Sequence, residues 1–274
     1  VLNMVNVIPA FNLPRLYHRP AAGQDSQTSP AGEMLAATPG LTRVHWDEAR
    51  RLAPLPIPLP QEYPQGALGL FRGQTVDFIL AYTCVTAARQ PLTHYVLLTT
   101  EALRQAAGRV RALLPLAQVD APPDPAEKTL APQRFAINTP PTEDEQAGDL
   151  LALTLAVRDN FEAIEGMLAA LVQGIPLGIV QGPRDLDTQL AFLQGLLALL
   201  PVPARFGVTF ATFVRRPEAT PVQIAFLAND APPEGRLIYD WQTSRLIGQP
   251  PEDPYSRFIV SQLRLDATVA VQQM

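Results

Sequence analysis

A chain of 274 residues, 47% hydrophobic and 17% charged, holds enough apolar material for a sizeable core, which excludes an intrinsically disordered protein. A formal net charge of −5 and a single lysine, Lys128, leave no basic stripe, which excludes charge-driven binding to nucleic acid. One cysteine excludes an internal disulfide and fits a reducing compartment, and the apolar runs are too short or too interrupted by charge to span a membrane.

In chain order, residues 1–11 lack the basic start and small-residue cleavage site of a signal peptide. Residues 19–39, rich in Gly, Ser, Thr and Pro, read as loop. A short helix is expected over 46–52, with Asp47 and Glu48 as solvated charges in its first turn and Arg50 and Arg51 in its last. Pro54, Pro56, Pro58 and Pro60 alternate with Leu55, Ile57 and Leu59, the pattern of an extended polyproline strap. Such a strap packs on the protein's own surface or serves as ligand for an aromatic groove. Two β-rich runs, 76–87 and 93–99, predict a hairpin, followed by a helix capped by Thr100 with Leu103, Ala107, Val110 and Leu114 inward.

Pro122, Pro123, Pro125, Pro132, Pro140 and Pro141 crowd the stretch that follows, where only 134–138 looks strand-like. The expected organisation is an N-terminal mixed α/β domain (1–118), a Pro-rich linker (119–147) and an α/β middle domain (148–274).

At the end of the linker Thr142 and Glu145 make a capping box, and then Leu150, Leu153, Val157, Phe161, Ile164, Leu168 and Leu171 share one helical face. Poor helix formers at Arg158, Asp159 and Asn160 predict a kink or a break, and Gly174 a stop. Residues 175–180 form an apolar run suited to a strand covered on both faces, with Pro176 restricting it to a first-residue or edge position. Asp185 caps a helix whose Leu186, Leu190, Leu193, Leu197 and Leu200 face inward until Pro201. Residues 206–214 alternate, with Phe206, Val208, Phe210 and Val214 on one face. Strand, crossover helix and strand make a βαβ unit with parallel pairing. A strand over 222–228, a hairpin of 236–239 with 245–247 and a helix over 255–265 complete an α/β fold of mixed sheet and helices.

Reactive chemistry is sparse. His18, His45 and His94 lack ligand-spaced neighbours, so no metal site is expected, and no phosphate-loop, nucleophile-elbow or dinucleotide motif calls for a cofactor. If the hairpin loop spans 87–91, Cys84 falls opposite His94, and a thiolate and imidazole within cross-strand reach would be the minimal parts of a cysteine hydrolase. The plainer alternative is a buried thiol and a structural histidine. The turn Gly182, Pro183, Arg184, Asp185 lies between a strand and a helix, where backbone N–H groups favour anions, although Asp185 as cap would occupy those donors.

Three phrases carry a family resemblance. They are 36–42 (Ala-Ala-Thr-Pro-Gly-Leu-Thr), then Arg89, Pro91, His94 and Leu97, with Pro91 where glycine is usual, and finally Leu200-Pro201 with Arg205, Thr209, Phe210 and Thr212. Together they resemble the bacterial GTPase-associated proteins encoded beside GTPases in conflict-type operons. The resemblance implies a cytoplasmic, non-enzymatic adaptor with a protein partner, a GTPase, and a chain that forms the N-terminal and middle portion of something longer. In outline the order of elements is also similar to longin plus DENN-type modules, which bind small GTPases too.

Overall fold

The capping box forms as its residues dictate: Thr142 Oγ1 accepts from the Glu145 amide at 3.1 Å, and the Glu145 carboxylate accepts from the Thr142 amide at 2.8 Å. Residues 10–20, 32–52, 66–87, 90–119, 122–124, 126–136, 141–228 and 234–274 are described by this computed structural model. The N-terminal half contains β1 (Phe11–Leu13), β2 (Arg15–Pro20), β3 (Gly32–Ala37), α1 (Arg43–Leu52), β4 (Ala67–Arg72), β5 (Phe78–Val85), β6 (Pro91–Leu98), α2 (Thr100–Ala106), α3 (Leu114–Ala117) and β7 (Gln133–Phe135). The C-terminal half contains α4 (Glu143–Ala156), α5 (Phe161–Val172), β8 (Leu177–Val180), α6 (Leu186–Ala198), α7 (Val202–Arg205), β9 (Phe210–Val214), β10 (Ile224–Leu227), β11 (Leu237–Asp240), β12 (Arg245–Ile247), α8 (Pro254–Leu265) and α9 (Ala267–Gln272).

Ten of these strands form one mixed sheet in the order β12-β11-β8-β10-β9-β4-β5-β6-β2-β3, and β1 pairs separately with β7. From β11 to β9 the neighbours are parallel, and from β9 to β3 they are antiparallel. The seam between the halves is β4 against β9, where Gly69 pairs with Ala211 and Leu70 with Phe210. The Leu68 amide, next along, donates to Thr212 Oγ1 at 2.9 Å. Segments on either side of the Pro-rich stretch thus share main-chain hydrogen bonds.

Strand alternation sorts side chains onto two faces. Leu70, Leu80, Val96, Ile179, Phe210 and Phe226 face the leucines of α4, α5 and α6. Phe71, Ile79, Tyr95, Val180, Ala225 and Ile238 face the other way, where α1 contributes Trp46 and Ala49. No described helix is long and apolar enough to cross a membrane.

The expected break forms: Arg158 and Asp159 adopt positive φ, 55° and 58°, so the long leucine pattern is two helices, with Asn160 accepting from the Ala163 amide to start the second. Several other expectations need correction. β8 is interior, flanked by β11 and β10, because Pro176 lies just outside it. β8 and β9 run parallel but do not touch: β10 enters later in the chain and pairs with both. The register of β9 slips between Ala225 and Leu227 of its partner, so Val214 joins Ala211 on the α1 side instead of Phe210 on the other. The strand begins only at Phe210 because α7 and the turn after it occupy 202–207. The helix expected after β6 is capped by Thr99, and Ala107 at φ 51° ends it early. Part of the supposed 19–39 loop is β3, an edge strand held by pairing with β2. Glu48 is buried rather than solvated, its carboxylate accepting from the Gln74 and Thr75 amides and the Thr75 hydroxyl. The polyproline strap falls outside the described residues.

Candidate functional site

The β5–β6 turn sets the geometry around Cys84. Because the Thr86 amide donates to the Gln90 carbonyl at 2.9 Å, the strands close at Val85 opposite Pro91. Cys84 therefore lies opposite Leu92, and His94 opposite Tyr82, a register shifted by two from the sequence expectation. The parity is unchanged, so Cys84 and His94 share a face but sit diagonally.

His94 is committed elsewhere. Its ring stacks on Tyr17 at a centroid distance of 4.3 Å, and Nδ1 lies 2.8 Å from the Ala117 carbonyl at the end of α3. A carbonyl only accepts, so Nδ1 carries the hydrogen. The ring is 1% exposed, and among the described residues Nε2 has no hydrogen-bond partner. Burial above all pushes its pKa down to about 4, with the Ala117 bond opposing and nearby Arg15 reinforcing. At neutral pH it is uncharged.

Cys84 instead borders a cleft of about 410 Å³ with Tyr82 and Thr86 beside it, Gln118 and Val119 beyond α3, and Asp187 from the first turn of α6. His94 is not among the residues that line it. β5 is antiparallel to β4 and β4 to β9, so β5 points the same way as the parallel strands. The cleft thus opens beyond their carboxyl ends, where α/β sheets present loops to ligands. What it offers is a half-buried thiol, a carboxylate and amide and hydroxyl groups, a lining suited to a small polar molecule.

The turn before α6 borders the same region. Gln181 has φ 53°, Gly182 packs against the Phe226 ring, and Arg184 and Asp185 are exposed. Asp185 accepts from the Thr188 amide at 2.7 Å, and buried Gln189 donates to the Pro183 carbonyl at 2.8 Å. The carboxylate stands where an incoming phosphate would meet the helix N–H groups. Among the described residues no group of three or more His, Cys, Asp or Glu is placed to hold a metal ion.

A different surface was hidden in plain composition. Residues 150–157 are almost entirely apolar, more than the buried stripe of Leu150, Leu153 and Val157 requires. The surplus, Leu151 and Leu155, one turn apart on α4, is 56% and 66% exposed. Leu265, where α8 meets α9, is 76% exposed, and α9 packs against α4. The signal lay in the out-of-phase leucines. The chain matches no protein-family model and no curated protein.

Proposed function

We propose that the protein is a non-enzymatic adaptor that receives a protein partner on the outer side of α4 and the α8–α9 elbow. The observation that supports this reading is the pair Leu151 and Leu155, one turn apart on α4 and both more than half exposed, with exposed Leu265 beside α9, which packs on α4: apolar surface that a partner would cover. The resemblance to GTPase-associated proteins makes a cytoplasmic GTPase the first partner to test. Surface plasmon resonance against a purified GTPase encoded beside the protein, loaded with GDP or a GTP analogue, is expected to show binding that L151E/L155E weakens at least tenfold. Binding in neither nucleotide state, or binding indifferent to those substitutions, would overturn the proposal.

The cleft beside Cys84 supports a second reading, a small-molecule or nucleotide-binding module, because it joins the hairpin end to the start of α6 at the carboxyl edge. A thermal-shift panel distinguishes it: a nucleotide at a hundred times its Kd adds about 2.7 kcal/mol of stability. A cysteine hydrolase would need His94 to leave its Ala117 and Tyr17 contacts and turn to Cys84.

A further inference from the structure

β2 and β3 form the outer edge of the ten-stranded sheet. Register places Tyr17 opposite His94 and His18 opposite Thr93, so His18 and His94 lie on opposite faces at the β2–β6 junction. Their burial is nearly complete, at 6% and 1% exposure, and in each ring Nε2 has no hydrogen-bond partner among the described residues. His18 lies between Trp46 of α1, 6.3 Å away, and Tyr95 of β6, 6.5 Å away. Gly32, the first residue of β3, approaches so closely that a β-carbon there would overlap His18 Nε2. At this burial a charged ring would give up most of its hydration shell.

The charged surroundings also oppose protonation. On α1 the guanidinium of Arg50 lies over Trp46 at 4.1 Å and is the charge that bears on His18, while Asp47 is paired with Arg50 and Arg43 and Glu48 with Gln74 and Thr75. On β3, Glu33 is in register with Arg19. Around His94, β2 brings Tyr17 and Arg15, β5 brings Tyr82 and Cys84, and α3 brings the Ala117 carbonyl. Arg15 is the charge that bears on the ring, and its own donors go to the Ala131 carbonyl and Gln133.

We propose that the β2–β3 edge is an acid-released flap for which His18 and His94 are paired latches, one on each face, holding only while uncharged. A proton on either ring creates an N–H with no acceptor, or a cation beside a guanidinium, in a space closed to water. Lifting β2 hydrates both rings at once, whereas the β4–β9 seam and the parallel strands carry no such group and stay paired. Burial holds both rings near pKa 4, against the ordinary 6.5 in the lifted form. Linkage then favours lifting by about 20-fold per histidine between pH 7 and pH 5. Release uncovers the main-chain edge of β6 that β2 now occupies.

Hydrogen exchange read by mass spectrometry on the full chain, with intrinsic rates corrected for pH, tests this. Peptides from 11–20 and 32–37 are expected to lose protection about 100-fold or more from pH 7 to pH 5 by this linkage, while 177–227 keep theirs. In H18F/H94Q, where a ring replaces a ring and the amide still reaches Ala117, that difference should vanish. The flap is wrong if 11–20 and 32–37 stay protected at pH 5, if all segments lose protection together, or if H18F/H94Q behaves like wild type. Should H18F/H94Q not fold, the regional pattern in the wild type decides alone.

Discussion

Buried polar side chains at the two ends of the sheet meet their surroundings differently. At the parallel end, Arg205 donates to the Leu200 and Ala198 carbonyls at 2.6 and 2.9 Å and to Gln146 at 2.9 Å, closing the end of α6. Arg236 likewise reaches the Val222 and Thr220 carbonyls at 3.0 and 3.1 Å. Carbonyl oxygens replace the water each cation lost, so charge is tolerated. At the antiparallel end, His18 and His94 each keep one ring nitrogen unmet, and only the neutral form fits. Arg205 is as buried as the two histidines, while Arg236 is half-buried; the number of acceptors decides whether a charge can stay.

The largest expected effect tests the histidine end. Both rings have folded pKa values near 4, below the unfolded 6.5, so the native state binds fewer protons. Their contribution is therefore complete above pH 6.5 and lost as pH falls toward 4, about 3 kcal/mol per ring by linkage. Urea melts of wild type and H18F/H94Q at pH 7 and pH 4 should differ by that pH-dependent amount; equal pH dependence in the two would remove the contrast. Next comes the arginine end: R205A leaves two carbonyls unanswered and should cost about 3 kcal/mol in the same assay at pH 7.

A third experiment asks whether the antiparallel end can hold any charge at all. Glu48 suggests that it can, given donors. Burial alone would raise its pKa, yet the Thr75 hydroxyl and the Gln74 and Thr75 amides outweigh burial and hold it below the ordinary 4.5. Its stabilisation is present above the ordinary value and fades as pH drops below it. E48Q should lose about 1.5–3 kcal/mol at pH 7, the range for hydrogen bonds to a charged group. T142A, which removes one half of a solvent-exposed capping box, should cost about 1 kcal/mol. L151E/L155E, on the open side of α4, should move stability by no more than about 0.5 kcal/mol, which makes it a clean probe of binding.

Much of the parallel half was legible because its signals are local. Asp185 and the Thr142–Glu145 pair announce helix starts through short-range hydrogen bonds that form whatever the neighbours do. The Cys84–His94 pairing was less legible: a hairpin register depends on where the turn closes, and a two-residue difference exchanged His94 for Leu92 across from the thiol. Glu48 was misjudged for a related reason. Nothing beside it in the chain shows that residues 74 and 75 return to meet it.

By itself the order of residues determined the α/β class, the helix caps, the break at 158–160 and the inward leucine stripes, since each rests on contacts within about one or two turns of chain. Only the tertiary structure decided that both halves join in one sheet through β4 and β9, that β10 separates β8 from β9, and that two histidines face opposite ways across β2. Strand order and burial are long-range outcomes, set by which surfaces pack together after the local elements exist.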